Sequence, residues 1–301
     1  DGKDWNRKKG THIYRIGLCK TALKLSDKLI ENGYNCGERF DLWFELFGKV
    51  CEILEGDKEM IERTVREYFL ALHSGGAFNF SIKFSDKTEG MSIGLICDVK
   101  YSGLEQRYFI KCPQRGPRPT SSSISSRYNS INRPYIEELY VYQLLSFIQL
   151  CGEVHFLFPQ TSATKKTLYI GTQEVTFTTA KQLTYQEANP RALILVHFIQ
   201  FILRLEDIGT NGGNYGQNNH GEPVIIDFCV APKEDYKLSD NQIDDFWGNQ
   251  HGSNSRLISE ALSKIPNDQR RKIVHEEIEK WSLINKIEEA KIAVEDFLLK
   301  S

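Results

Sequence analysis

The apolar residues of this chain change their spacing at Ser74-Gly75-Gly76, and that change decides which elements the two sides can form. Before it, Leu18, Ala22, Leu25 and Leu29, then Phe40, Trp43, Phe44 and Phe47, then Ile61, Val65, Tyr68, Phe69 and Leu72 recur at the spacing that puts side chains on one face of an α-helix. Three or four helices are expected there, punctuated by Gly33, Gly37 and Gly56-Asp57. After it, Phe78, Phe80, Ile82 and Phe84 alternate with polar residues, Ser85 to Gly90 make a polar turn, and Ile93, Leu95, Cys97 and Val99 alternate again. Tyr108 to Lys111 follows the turn Ser102-Gly103 as a third strand, so three consecutive antiparallel strands are predicted.

Further along, the loop from Gln114 to Arg133, with Pro117, Pro119 and the serine cluster Ser121 to Ser126, has no periodicity. Pro134 stands where a helix begins, and Glu137 to Leu150 is predicted to be that helix. Phe156 to Phe158 and Leu168 to Ile170 read as two more strands, giving a sheet of about five with one helix against it. After Asn189-Pro190, Ala192 to Leu205 is apolar on more than one face and should be a helix buried on most sides. A loop rich in glycine and asparagine, Gly209 to Gly221, separates it from the apolar strand Val224-Ile225-Ile226, which ends in Asp227-Phe228. Ile243 to Phe297 reads as several amphipathic helices, including Arg270 to Trp281 and Ile284 to Leu298.

With 301 residues, 40 % of them hydrophobic, the chain can build a sizeable core. Its 38 basic and 40 acidic side chains leave a formal charge of −2, so no global field holds nucleic acid or an anionic membrane. Any bound anion must be held locally, and nothing in the chain resembles a nucleic-acid module. Cys19, Cys36, Cys51, Cys97, Cys112, Cys151 and Cys229 are scattered, with no C-x-x-C pair, and read as reduced thiols rather than a disulfide framework or zinc site. The opening Asp-Gly-Lys-Asp-Trp has no signal-peptide core, and no apolar run reaches the roughly 18 residues of a membrane span. A cytoplasmic, reducing location is expected. His155, His197 and His220 have no mutual spacing suited to a metal or a nucleophile triad.

Phosphoryl transfer asks a protein mainly to position phosphates and metal and to neutralise charge. The segment Arg204-Leu205-Glu206-Asp207-Ile208-Gly209-Thr210-Asn211-Gly212-Gly213-Asn214-Tyr215-Gly216, followed by Pro223-Val224-Ile225-Ile226-Asp227-Phe228, carries residues suited to that task. It resembles the catalytic loop and metal-binding aspartate of the protein-kinase-like superfamily, closest to its phosphoinositide-kinase and HipA-type branches. The resemblance spans roughly Phe78 to Phe228. It implies an α+β, two-lobed protein-kinase-like fold, with a helical extension over 1–75, a small lobe over 76–183 and a helical large lobe over 184–301. It also implies ATP and Mg²⁺ as cofactors, with Asn214 and Asp227 as metal ligands, Lys111 on the nucleotide phosphates and Glu138 orienting that lysine. Glu137 is the competing choice for the last role, and an ordinary acid favoured by the helix dipole is the plain reading of either. The plain reading of Asn214 and its neighbouring glycines is a tight turn, that of Lys111 a solvated strand end.

The chain also departs from the resemblance. The base aspartate of related loops usually stands five residues before the metal-binding asparagine, where this chain has Gly209; Asp207 stands seven before. Either Asp207 still reaches the acceptor hydroxyl, or the base is missing. Cys229 follows Asp227-Phe228 where glycine is common, and the turn Asp86 to Ser92 has a single glycine. Ser85, Thr88 and Ser92 are therefore the candidates for contacting phosphate. Arg115, Arg118, Arg127 and Arg133 around the serine cluster suggest a gating or phosphorylated loop, against the plainer reading of a surface loop. The expected function is an ATP- and Mg²⁺-dependent kinase acting on a protein hydroxyl; the alternatives are a pseudokinase that binds nucleotide or acts as a scaffold, and a lipid or inositol kinase.

Overall fold

The computed structural model describes residues 58–73, 80–86, 94–113, 136–158, 168–231 and 255–300, with isolated helical positions at 21, 24, 28 and 31. The fold is α+β. The chain divides into two compact units, one of 1–112 and 155–174, the other of 113–154 and 175–301. They interleave in sequence, whereas the resemblance implies boundaries at 75/76 and 183/184.

The first unit is built on a five-stranded sheet in the order β1-β2-β3-β5-β4, formed by β1 (Ser81–Asp86), β2 (Gly94–Tyr101), β3 (Leu104–Lys111), β4 (Val154–Leu157) and β5 (Tyr169–Gln173). Strands β1, β2 and β3 form the antiparallel meander that the alternation predicts, in a register that aligns Phe84, Cys97 and Tyr108. Ser102 and Gly103 both take positive φ, 48° and 82°, the conformation of a two-residue turn whose twist matches that of the strands. Strand β3 starts at Leu104, four residues before the expected start at Tyr108. Its first half is paired but largely exposed, so no alternation marks it. There Arg107 donates to the Asp98 carboxylate opposite it at 2.7 and 3.3 Å, and that bond holds the Asp98 carboxyl below its ordinary value.

The helix over 58–73, here α1, sets Ile61, Val65 and Phe69 four residues apart into one core with Ile82, Leu95, Cys97, Val99, Tyr108, Ile110, Leu157 and Tyr169. Fully burying each such side chain is worth about 1.5–3 kcal/mol. This part of the predicted helical extension therefore belongs to the core of the sheet. Burial pushes the Cys97 thiol up to about 12, which suits a small core residue and not a nucleophile.

In the second unit, α2 (Ile136–Phe147) packs on α6 (Leu283–Lys300), and α3 (Pro190–Ile202) packs on α4 (Arg256–Lys264) and α5 (Asn267–Trp281). Asn189 caps α3 by accepting from the Arg191 amide at 3.0 Å, and Pro190 takes the first turn, where a missing N–H costs nothing. Residues Ala192 to Ile199 are all buried, as their all-round apolar character predicts. The helix ends three residues before the expected Leu205, because Arg204 takes a left-handed φ of 54° and turns the chain into a strand. Three short ladders follow. β7 (Leu205–Glu206) pairs with β10 (Cys229–Val230), and β8 (Tyr215–Gln217) lies between β6 (Thr178–Thr179) and β9 (Pro223–Ile225). No helix among the described residues is long and apolar enough to cross a membrane.

Candidate functional site

Two ladders of the second unit bring the ends of a long loop together. In the first, Glu206 pairs with Cys229 and Leu205 with Val230, so Asp207 and the pair Asp227-Phe228 emerge from one end of the same ladder. In the second, Tyr215 pairs with Ile225, and the next rung is the bond that the Ile226 amide donates to the Asn214 carbonyl at 2.7 Å. Register therefore sets Asp207, Asn214 and Asp227 side by side although seven and thirteen residues separate them from Asn214. Gly216 permits the close approach of β6, since a Cβ there would run into the Thr178 carbonyl.

Asn214 is 8 % exposed and ties these parts together. Its Nδ2 donates to the Asp227 carbonyl at 2.6 Å and, more weakly, to the Asp207 carbonyl at 3.4 Å. Its Oδ1 accepts from Nδ2 of Asn211 at 3.0 Å. The turn Asn211–Asn214 is closed by the Asn214 amide donating to the Asn211 carbonyl at 3.0 Å and is anchored by the Lys181 amide donating to the Gly212 carbonyl at 2.8 Å.

Arg204, Asp207 and Asp227 have φ of 54°, 65° and 44°. A non-glycine residue in the left-handed region costs about 1–2 kcal/mol, less for aspartate, whose short side chain bonds locally. Such positions cluster where function holds a side chain in place. Strand β9 is buried throughout, whereas Asp227 beyond its end is exposed, as is Asp207. Phe228 holds the backbone beside Asp227, fully buried and stacked on Tyr142 of α2 at 4.3 Å between centroids and 26° between planes.

Tyr215, next to Asn214, is buried, and its hydroxyl shares a hydrogen bond with Ser255, which caps α4 by accepting from the Ile258 amide at 3.4 Å. Burial pushes the Tyr215 hydroxyl upward, with the Ser255 bond acting against it. Opposite this side, the tip of the β8–β9 hairpin is clamped to the start of α3. There Nδ2 of Asn189 donates to the Gly221 carbonyl at 2.8 Å, and the Asn189 amide donates to Oε1 of Gln217 at 2.6 Å.

The other predicted residues are divided between the two units or lie outside the described residues. Lys111 ends β3 in the first unit, buried rather than solvated, paired with Ile170 and opposite Gly94, where a Cβ would meet the Ile110 carbonyl. Glu138 is in the second unit, fully buried in α2, whereas its competitor Glu137 is exposed. Ser85 is an exposed residue of β1 paired with Ile96. Thr88 and Ser92 lie outside the described residues, as does the serine cluster Ser121 to Ser126. Among the described residues no three His, Cys, Asp or Glu side chains group as a metal cage. The oxygens here that could hold a cation are the side-chain oxygen of Asn214 and the exposed carboxylates of Asp207 and Asp227. Sequence reading missed the roles of Asn211 and Ser255; the Asn-Gly-Gly-Asn spacing was the available signal for the first. The chain matches no protein-family model, no curated protein and no solved structure.

Proposed function

We propose that the protein is an ATP- and Mg²⁺-dependent phosphotransferase of the atypical protein-kinase-like kind, with a two-lobed kinase-like fold and a protein hydroxyl as acceptor. The observation that carries this reading is the Asn214 amide, bonded to the main chain at both Asp207 and Asp227. One buried side chain thereby keeps its own amide oxygen close to the main chain of two exposed aspartates, an arrangement that supports metal binding and proton acceptance beside a phosphate. In this reading Asn214 and Asp227 hold the metal and Asp207 accepts the proton of the acceptor hydroxyl. Lys111 contacts the phosphates and Glu138 orients it, roles that rest on the resemblance alone. When bound, a metal held by Asn214 and Asp227 would supply charge neutralisation at the transferring phosphate.

A nucleotide-binding scaffold without transfer is the second reading, favoured by Gly209 at the position where related loops carry their base. Thermal stabilisation by ATP that depends on Mg²⁺ is expected in both readings. Label transfer from γ-labelled ATP to a generic protein acceptor, abolished in Asp227→Ala and lowered at least a hundredfold in Asp207→Ala, is expected only in the first. Magnesium-dependent binding without transfer would leave the scaffold reading standing, and no binding would remove both.

A further inference from the structure

We propose that Asn211 is a positioning residue that sets the direction in which Asn214 presents its side-chain oxygen to the metal, an inference that rests on the function proposed above. Both partners of the Asn214 Nδ2 are main-chain carbonyls, those of Asp227 and Asp207, and carbonyls only accept. The amide of Asn214 therefore has one chemically consistent orientation, with Nδ2 on the two main-chain carbonyls and Oδ1 left to accept.

Asn211 fixes what that oxygen meets. Its own Oδ1 accepts from the Gly213 amide at 3.1 Å, which turns its Nδ2 outward to donate to Asn214 Oδ1 at 3.0 Å. The bonds run in series from the Gly213 N–H through Asn211 and Asn214 to the Asp227 carbonyl, each group giving at one end what it accepts at the other. One lone pair of Asn214 Oδ1 is taken by Asn211, which would leave the other to hold a cation. Asn211 itself is exposed at the tip of the loop, while Asn214 is buried. Such a partner behind a metal ligand typically changes metal affinity by about 10- to 100-fold when removed.

The test separates this role from that of the turn. In Asn211→Ser the hydroxyl still accepts from the Gly213 N–H but is too short to deliver a donor to Asn214. Asn211→Thr, which keeps the same hydroxyl acceptor and likewise cannot reach Asn214, provides the same comparison should the serine variant fail to fold. Binding of Mn²⁺ to the full chain is followed by electron paramagnetic resonance at saturating ATP, and ATP binding without metal is measured in parallel. The expected result is a 10- to 100-fold loss of Mn²⁺ affinity with metal-free ATP binding unchanged. In a transfer assay, the Mg²⁺ concentration for half-maximal rate rises by the same factor while the KM for ATP holds. Wild-type binding of Mn²⁺ with a variant within twofold of it overturns the role of Asn211 and leaves the proposed function intact. Failure of the wild type to bind Mn²⁺ with ATP overturns both.

Discussion

Asp227 holds a left-handed φ of 44° with an exposed side chain, so its backbone and its carboxylate can be tested apart by two substitutions at one position. Alanine removes the carboxylate and meets the full left-handed cost of about 1–2 kcal/mol. Glycine removes the carboxylate and escapes that cost, losing about 0.5–1 kcal/mol through its freer unfolded chain. The difference leaves Asp227→Gly more stable than Asp227→Ala by about 0.5–1 kcal/mol, a melting difference of roughly 1–4 °C for a unit of this size. Differential scanning calorimetry of the wild type and both variants without ligand measures it. Repeating the scans with ATP and Mg²⁺ at about a hundred times Kd raises wild-type stability by about 2.7 kcal/mol and raises neither variant in the same way. If the two variants melt together, or glycine melts below alanine, the strain at Asp227 is not real. If either variant keeps the wild-type ligand response, Asp227 is not a metal ligand.

Phe228→Ala removes a fully buried ring stacked on Tyr142 and is expected to cost about 3–5 kcal/mol, against about 1.5 kcal/mol or less for Phe228→Leu; urea denaturation reads both, and an alanine variant within 1 kcal/mol of wild type would contradict the packing. Glu277 on α5 is 1 % exposed; burial works to raise its carboxyl, but bonds from Arg191 at 2.7 Å and Lys280 at 2.9 Å outweigh burial and hold it below its ordinary value. A carboxyl whose folded pKa lies below its unfolded one contributes stability above the unfolded value and loses that contribution as pH falls through the folded one. Glu277→Gln should therefore flatten the acid limb of the stability curve below the ordinary carboxylate range, and acid limbs that run parallel in the two proteins would show that the network has no such effect.

What the sequence made legible tracks how strongly burial patterns a segment. The meander from β1 to β3 was readable because one face is core and the other solvent, so residues such as Leu95, Cys97 and Val99 alternate with half-buried ones. The first half of β3 was not, because its paired residues are mostly exposed and carry no pattern. Helix α3 declared itself through buried residues on all sides, but its end did not, since Arg204 makes a left-handed turn that glycine or asparagine would have advertised. The stripe Ile61, Val65 and Phe69 identified a helix without identifying what it packs on, because an amphipathic face specifies that a partner exists and not which one. At the site, the glycine and asparagine residues pointed to the loop around Asn214. The two-residue ladder of β7 with β10 is too short for any period to reveal, and with it the reason Asp207 and Asp227 leave from the same end was hidden.

That hidden ladder bears on the departure the sequence raised most sharply, the two extra residues between Asp207 and Asn214. Spacing along a loop matters only where the loop itself sets the distance between its ends. Here the pairing of Glu206 with Cys229 fixes one end, and the rung from the Ile226 amide to the Asn214 carbonyl fixes the other. The chain between them closes a turn from Asn211 to Asn214 that takes up Gly212 and Gly213 without moving either anchor. The Asp207 carbonyl accordingly lies 3.4 Å from the Asn214 amide nitrogen despite the longer spacing. The ladder thus keeps the Asp207 main chain beside Asn214 although Gly209 stands in the position usual for a base. What would separate the two aspartates is loss of the β7–β10 ladder, and the side chains that guard it are Phe228, stacked on Tyr142, and the buried Leu205 and Val230.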